Sequence, residues 1–285
     1  MKISINIHKK LLSLQYFLSL VVLSVIYPLK LVHSQERLII KGSDTIGAKL
    51  MPKLAEAYTN KNPETKFEIA AEGSSTGISA IIEGTADIGM SSREIKPKEL
   101  AAAGANGIRL KSTLIAYDAV VIVVNELNPI HNVSSKDLER IFSGDVTNWS
   151  SIGGKSGRIS VYTRNTSSGT YSFVQKNILS NRDYGADSQK LAGNEFIVEE
   201  ISKNINSIGY TGLAYANLPG IKLLSVDGKL PNLVSPKNDY VLTRGLTCIT
   251  KDPADLKTLQ FLTFLKSQEA DTIIINSGFG AINWM

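Results

Sequence analysis

Residues 37–84 read RLIIKGSDTIGAKLMPKLAEAYTNKNPETKFEIAAEGSSTGISAIIEG, and two structural periods alternate along them. "RLIIKG" is a short apolar run closed by glycine, which predicts a strand. "TIGAKLMPKLAEAYTNKNP" repeats apolar residues at helical spacing up to Pro63, which predicts one amphipathic helix. "TKFEIAAEG" is again strand. "SSTGISAIIEG" starts a helix with Ile78, Ile81 and Ile82 on one side. Strand and helix in alternation predict an α/β fold with a mostly parallel sheet.

Outward from this stretch the alternation continues. "ADIGMSS" is a buried strand and "KPKELAAAG" a short helix. "IRLKSTLIAYDAVVIVVN" is a long β run with a break expected near Asp118. "SSKDLERIF" has Ser134 three residues before Asp137, close to capping-box spacing. "RISVYT", "SIGYTGLAYA" and "RGLTCITK" read as strands, and "NEFIVEEISKN" as a helix. The closing stretch "PADLKTLQFLTFLKSQEADTIIINSG" reads as two helices, with Pro253 at a helix start and Gly278 at a helix end. The long run near 108–124 and a return near 240–245 suggest two lobes joined by two crossing strands.

The first residues, "MKISINIHKK", are basic, and the apolar "LLSLQYFLSLVVLSVIYPLKLVHS" follows them. Together they read as a secretory signal over 1–34, with a retained anchor as the other reading. That segment holds Lys2, Lys9, Lys10 and Lys30 and no acid. The chain beyond it therefore keeps 27 of the 31 basic residues against 26 acidic ones, a net of +1 instead of +5. Nothing in that balance asks for nucleic acid, which needs a basic face with aromatics. Cys248 is the sole cysteine and reads as a buried small hydrophobe.

The chemistry sits where strands or loops give way to helices. "GSDTIGAKL" (42–50), "GSSTGISAI" (73–81) and "RNTSSGTYSFV" (164–174) each place Ser, Thr and Gly at a helix start, and "GMSSREI" (89–95) adds two serines and an arginine. A helix N-terminus offers unpaired N–H groups and about half a positive charge, suited to an oxyanion. Capping alone explains any one such cluster. No phosphate-loop motif, metalloprotease helix or Cys/His metal cluster is present. A serine hydrolase built on Ser168 would need a base. The chain beyond the leader has one histidine, His131, in a loop-like stretch.

"GSDTI", "GSSTGI", "ADIGMSSREI", "AYDAVVIVVN", "IFSGDVTNWSSIGG", "TRNTSSGTYSF" and "SIGYTGLAYA" occur in this order and together resemble the PstS family, the phosphate-binding proteins of bacterial ABC-type importers. The resemblance runs from about Leu38 to Asn283. It implies a type II periplasmic binding fold: α/β, with mixed sheets flanked by helices and two crossing strands as hinge. Lobe 1 would comprise 35–119 plus 244–285, and lobe 2 would comprise 120–243. It implies periplasmic phosphate binding without catalysis or cofactor, a monomer, and delivery to a membrane permease. The phosphate loops would fall on Ser43, Asp44, Thr45 and Ile46, on Ser74 and Ser75, on Ser92 and Arg93, and on Arg164, Ser168, Gly169 and Thr170. One branch of the family has a carboxylate where this chain has Ser92, and another acid where it has Thr166. Asp44 is therefore the candidate acceptor for a phosphate proton, with helix capping as its other reading. Sulfate, molybdate or tungstate are the alternative ligands. Asp118, Trp149 and Tyr210 are expected to be structural.

Overall fold

The computed structural model describes residues 36–233 and 239–283; the expected leader lies outside them. Strand β1 (Glu36–Gly42) is followed by helices α1 (Asp44–Gly47) and α2 (Met51–Lys61), then β2 (Thr65–Ala71) and α3 (Ser74–Glu83). β3 (Ile88–Ser91), α4 (Pro97–Ala105) and the 16-residue β4 (Leu110–Asn125) come next. The single helix expected over 45–63 is therefore two. Pro52 sits in the first turn of α2, where its missing N–H costs nothing, and the hydrogen-bond ladder restarts there.

The chain continues through β5 (Asn132–Val133), α5 (Ser135–Phe142), β6 (Ser160–Arg164), α6 (Gly169–Asn177) and β7 (Gln189–Leu191). It ends with α7 (Asn194–Lys203), β8 (Ser207–Gly212), β9 (Ile221–Val226), β10 (Thr243–Lys251), α8 (Leu256–Phe264) and α9 (Gln268–Asn276). Ser134 caps α5 by accepting the Asp137 N–H, as its spacing predicts. Gly278, at φ 86°, follows the end of α9 in the left-handed region. Pro253 does not open a helix: α8 starts at Leu256, capped by the Asp255 side chain.

The strands lie in the order β2-β1-β3-β10-β4-β8-β6-β7, with β9 against β4 and β5 against β9. The flanks are parallel, as the alternation predicts. The middle is antiparallel: β10 runs against β3 and β4, and β4 against β8 and β9. The sheet is therefore mixed rather than mostly parallel, because the chain returns through β10 without a crossover helix.

β4 is unbroken at Asp118. The irregularity in its pairing falls instead between Leu246 and Thr247, opposite Ile115. A carboxylate persists inside a buried strand because Arg244 lies directly across from it in β10.

Buried apolar side chains gather in separate clusters. One joins residues of β1, α2, β3 and the first half of β4 to β10, α8 and α9, with Tyr215 inserted from the loop after β8. A second surrounds Val120, Ile122 and Val124 of β4 with Phe142, Trp149, Ile208 and Tyr210. A third covers Val121 and Val123 with Ile197 and Ile201 of α7. Residues 119–124 are fully buried because each face of β4 is covered, which explains their unalternated apolar run.

Gly77 shows how tightly α3 lies on the sheet. A methyl group there would come within 2.5 Å of the Lys41 carbonyl and 2.7 Å of Gly42 Cα. In an open helix, alanine for glycine gains about 1 kcal/mol. Here the sign reverses: Gly77→Ala should destabilise by about 1–3 kcal/mol in denaturant unfolding, because the obstructing atoms are backbone.

Candidate functional site

β6 delivers Arg164 into the interior, where it is 1% exposed. Its Nη2 donates to the Ala192 carbonyl at 2.6 Å and lies 3.2 Å from Asp44 Oδ2. Nε and Nη1 are buried with no protein acceptor. Burial lowers the guanidinium from its ordinary range, and Asp44 pulls the other way. A buried charge with two unspent nitrogens is costly to keep, and an anion set against them would offset that cost. Behind it the Tyr210 hydroxyl accepts the Arg164 backbone N–H at 3.2 Å, and burial pushes that phenol up to about 12.

Asp44 opens α1, after Ser43. Its Oδ2 accepts the Asn194 backbone N–H at 3.0 Å and Asn194 Nδ2 at 2.6 Å. The carboxylate orients Arg164 and the start of α7, and it does not cap its own helix. Tyr215 donates to the Asp44 and Thr45 carbonyls, both at 3.2 Å, and its phenol is raised far above the usual range by burial and by Asp44.

Thr45 Oγ1 is 3.3 Å from Thr170 Oγ1, joining residues 125 positions apart. Ser74 Oγ accepts the Ser92 N–H at 3.1 Å and lies 3.4 Å from Ser92 Oγ. Gly169, the first residue of α6, closes on this pair. A Cβ on it would stand 2.2 Å from Ser74 Oγ and 2.5 Å from Ser92 Oγ. Ser168 caps α6, accepting the Tyr171 N–H at 3.3 Å.

The sequence thus names Asp44, Thr45, Ser74, Ser92, Arg164, Ser168, Gly169 and Thr170, and all belong to one interior cluster. Others go elsewhere. Arg93 forms a paired contact with Glu99, at 2.9 and 2.6 Å, and donates to Ser75 Oγ at 2.8 Å. Its two terminal nitrogens are thereby engaged by Glu99, Ser75 and the Glu94 carbonyl, which leaves only the buried Nε without a partner. Glu99 feels burial first, yet its bonds from Arg93 and from the Lys96 N–H keep its carboxyl below the ordinary range. Ile46 is fully buried in the apolar core, and its N–H donates to the Ser43 carbonyl at 3.2 Å. Ser43 is buried, with its N–H donating to the Met90 carbonyl at 2.9 Å.

Sequence reasoning misses Arg244 and Asn194. Arg244 Nη2 donates to Thr170 Oγ1 at 3.1 Å and Thr45 Oγ1 at 3.3 Å; Nη1 donates to the Ser92 carbonyl at 3.2 Å. Asp118 holds it from behind, accepting Nε at 3.1 Å and Nη2 at 2.8 Å. Asp118 is entirely buried. Burial pushes its carboxyl up, against the pull of Arg244. The signal was present: one charge inside each of two apolar strands expected to cross. Asn194 offered less, since an asparagine at a helix start reads as ordinary. Its Oδ1 accepts Thr211 Oγ1 at 3.1 Å and the Gly212 N–H at 3.2 Å, so its Nδ2 faces Asp44 and Thr45.

Among the described residues no group of three or more His, Cys, Asp or Glu could hold a metal. Likewise no helix among them is long and apolar enough to cross a membrane.

A family model described as the PBP superfamily domain matches residues 33–269. The chain is 29% identical to the phosphate-binding protein PstS of Borreliella burgdorferi over 95% of this chain and 98% of that protein. It is 30% identical to PstS of Pseudomonas aeruginosa over 84% and 80%. A Clostridium perfringens structure, titled as a phosphate ABC transporter substrate-binding protein with bound phosphate, superposes with TM-score 0.80. It is 29% identical and covers 87% of this chain and 100% of that one. An ABC-type phosphate transport receptor from Vibrio cholerae gives TM-score 0.72 at 28% identity, covering 85% and 99%.

Proposed function

Because this chain belongs to the PstS family within the PBP superfamily, we propose that it is a receptor for inorganic phosphate that hands its ligand to an ABC-type permease. The supporting observation is Arg164: fully buried, with Nε and Nη1 unspent, beside hydroxyls from four separate segments. Its planar fork suits two oxygens of a tetrahedral anion.

We take the lobes to be 35–119 plus 244–285 and 120–243; the separate apolar clusters support this reading, with Tyr215 packed in the first and Ala119 in the second. The site then lies where they meet: Asp44, Thr45, Ser74 and Ser92 come from the first lobe, and Arg164, Ser168, Gly169 and Thr170 from the second. Closure by hinge motion through β4 and β10 brings them together. Ser75 N donates to the Ser167 carbonyl at 3.1 Å, and Ser167 Oγ to the Glu72 carbonyl at 3.0 Å; in this reading such bonds between the lobes hold the closed form.

In this reading the protein does no chemistry on its ligand. Ser168, the residue an esterase would use, is a helix cap whose oxygen accepts a backbone N–H. The protein works as a monomer outside the inner membrane, exported by its leader.

Calorimetric titration of ligand-stripped protein with phosphate, arsenate, sulfate and molybdate tests the assignment. Phosphate should bind in the micromolar range or tighter, and no heat from any of the four would overturn it. Asp44→Asn should weaken phosphate by about tenfold or more, since Arg164 loses its charged partner. A change in phosphate-to-sulfate selectivity without weakening would instead make Asp44 the proton acceptor.

A further inference from the structure

A groove of about 880 Å³ opens beside the cluster, with Arg244 in its lining. One wall is the chain from Arg93 to Lys98, which leads into α4; the other is α6 from Ser172 to Asn177. Asp44, Thr45, Ser74, Arg164 and Thr170 do not line it. Lys96 Nζ donates to Ser172 Oγ at 2.9 Å and Lys176 Nζ lies 3.1 Å from Glu94 Oε2, so both contacts join the walls. Five cations line the groove, Arg93, Lys96, Lys98, Lys176 and Arg244, against one acid, Glu94. Three of the five have a carboxylate of their own: Arg93 has Glu99, Arg244 has Asp118 and Lys176 has Glu94. Among the described residues Lys96 and Lys98 are paired with none.

Lys96 is half-buried, and its bond is to a neutral hydroxyl. Burial holds its ammonium below the ordinary range; Arg93 and Lys98 push the same way, and Glu99 opposes them. Glu99 does not neutralise it, since both of its oxygens receive Arg93. A half-buried cation without a counter-charge is costly, and an anion in the groove would offset that cost. The groove is far larger than a single phosphate needs and lies in the range of pockets that enclose whole small molecules. A lone oxyanion on one exposed lysine gains little in water. An anion with charges spread along a chain can meet Lys96 and Lys98 on one wall and Lys176 on the other at once. Arg244 already covers the Phe173 ring, at 5.4 Å, so a chain of phosphates without a base to stack is the better match. We propose that this groove is a second anion site, separate from the Arg164 cluster, that takes an oligophosphate on Lys96 and Lys98 with Lys176 opposite.

Calorimetric titration of tripolyphosphate into phosphate-saturated protein tests this, with phosphate held at about a hundredfold its Kd so that the Arg164 cluster is filled. A single equivalent should still bind, and its affinity should fall about tenfold from low to physiological salt, because exposed lysines are screened. Lys96→Gln with Lys98→Glu should weaken tripolyphosphate by about thirtyfold or more, and Lys98→Glu alone, at an exposed position, by about tenfold. Both variants should still bind phosphate, which shows that they are folded. Lys136→Glu with Lys155→Gln removes as much charge outside the groove and should bind tripolyphosphate as the parent does. No binding to the saturated parent, binding that only displaces phosphate, or binding that survives the substitutions at Lys96 and Lys98 overturns the inference and leaves the phosphate reading intact. So does an equal loss in the variant at Lys136 and Lys155. A parent that takes tripolyphosphate but no phosphate keeps the groove and sinks the phosphate reading.

Discussion

Arg164→Ala should reduce phosphate affinity by two to more than three orders of magnitude, read by calorimetry beside the parent protein. The guanidinium is 1% exposed and is balanced by Asp44 at 3.2 Å, so truncation removes the cation from a water-poor site and strands the carboxylate. Truncating the cationic partner of a buried, hydrogen-bonded anion costs about 3–5 kcal/mol of binding, and each 1.4 kcal/mol or so is tenfold in Kd. Arg164→Lys retains the charge but loses the fork. It should recover part of the affinity and still fall at least tenfold short. If Arg164→Ala binds within threefold of the parent, Arg164 is a structural ion pair and the site lies elsewhere.

Gly169→Ala should abolish tight binding by a different route. The added methyl would stand 2.2 Å from Ser74 Oγ, 2.5 Å from Ser92 Oγ and 3.1 Å from Ser74 Cβ. Turning the Ser74 hydroxyl aside does not relieve the clash, because that oxygen holds the Ser92 N–H and its own Cβ is already close. The start of α6 must then stay back from α3, and the donors on the two sides no longer reach a common anion. At least a hundredfold loss of phosphate affinity is expected, with unfolding of the ligand-free protein shifted by less than about 1 kcal/mol. Small-angle scattering should show that phosphate compacts the parent and not the variant. Gly104 has no atom within 4 Å of the corresponding position, so Gly104→Ala is the control and should bind normally. Parental affinity in Gly169→Ala would remove α6 from the site.

Both effects depend on features of unequal legibility. The hydroxyl-rich helix starts are visible because capping chemistry and anion binding call on the same residue types, so Thr45, Ser74, Ser168 and Thr170 stand out. Arg93 and Arg164 look alike in the chain: each follows or ends a strand beside serines. What separates them is the company each finds. Glu99, six residues on, takes both terminal nitrogens of Arg93 and leaves only its Nε without a partner, whereas Arg164 keeps Nε and a terminal nitrogen, Nη1, without a protein acceptor. Such bookkeeping of donors requires coordinates. Asp118 was legible as a charge in an apolar strand, but a break there was the wrong expectation, because the neutralising Arg244 comes from 126 residues away.

Local order followed from the chain itself: the periods of two and 3.6, the glycine and proline stops, the hydroxyls ahead of helices and the apolar run of β4 covered on both faces. These depend on neighbours within a few residues, where backbone geometry and side-chain size decide. The antiparallel return of β10, the division of the apolar side chains, and the pairing of Asp44 with Arg164 and of Asp118 with Arg244 were settled only by the tertiary structure. Each depends on which distant group supplies the last donor or acceptor, and a buried polar atom takes its meaning from that partner.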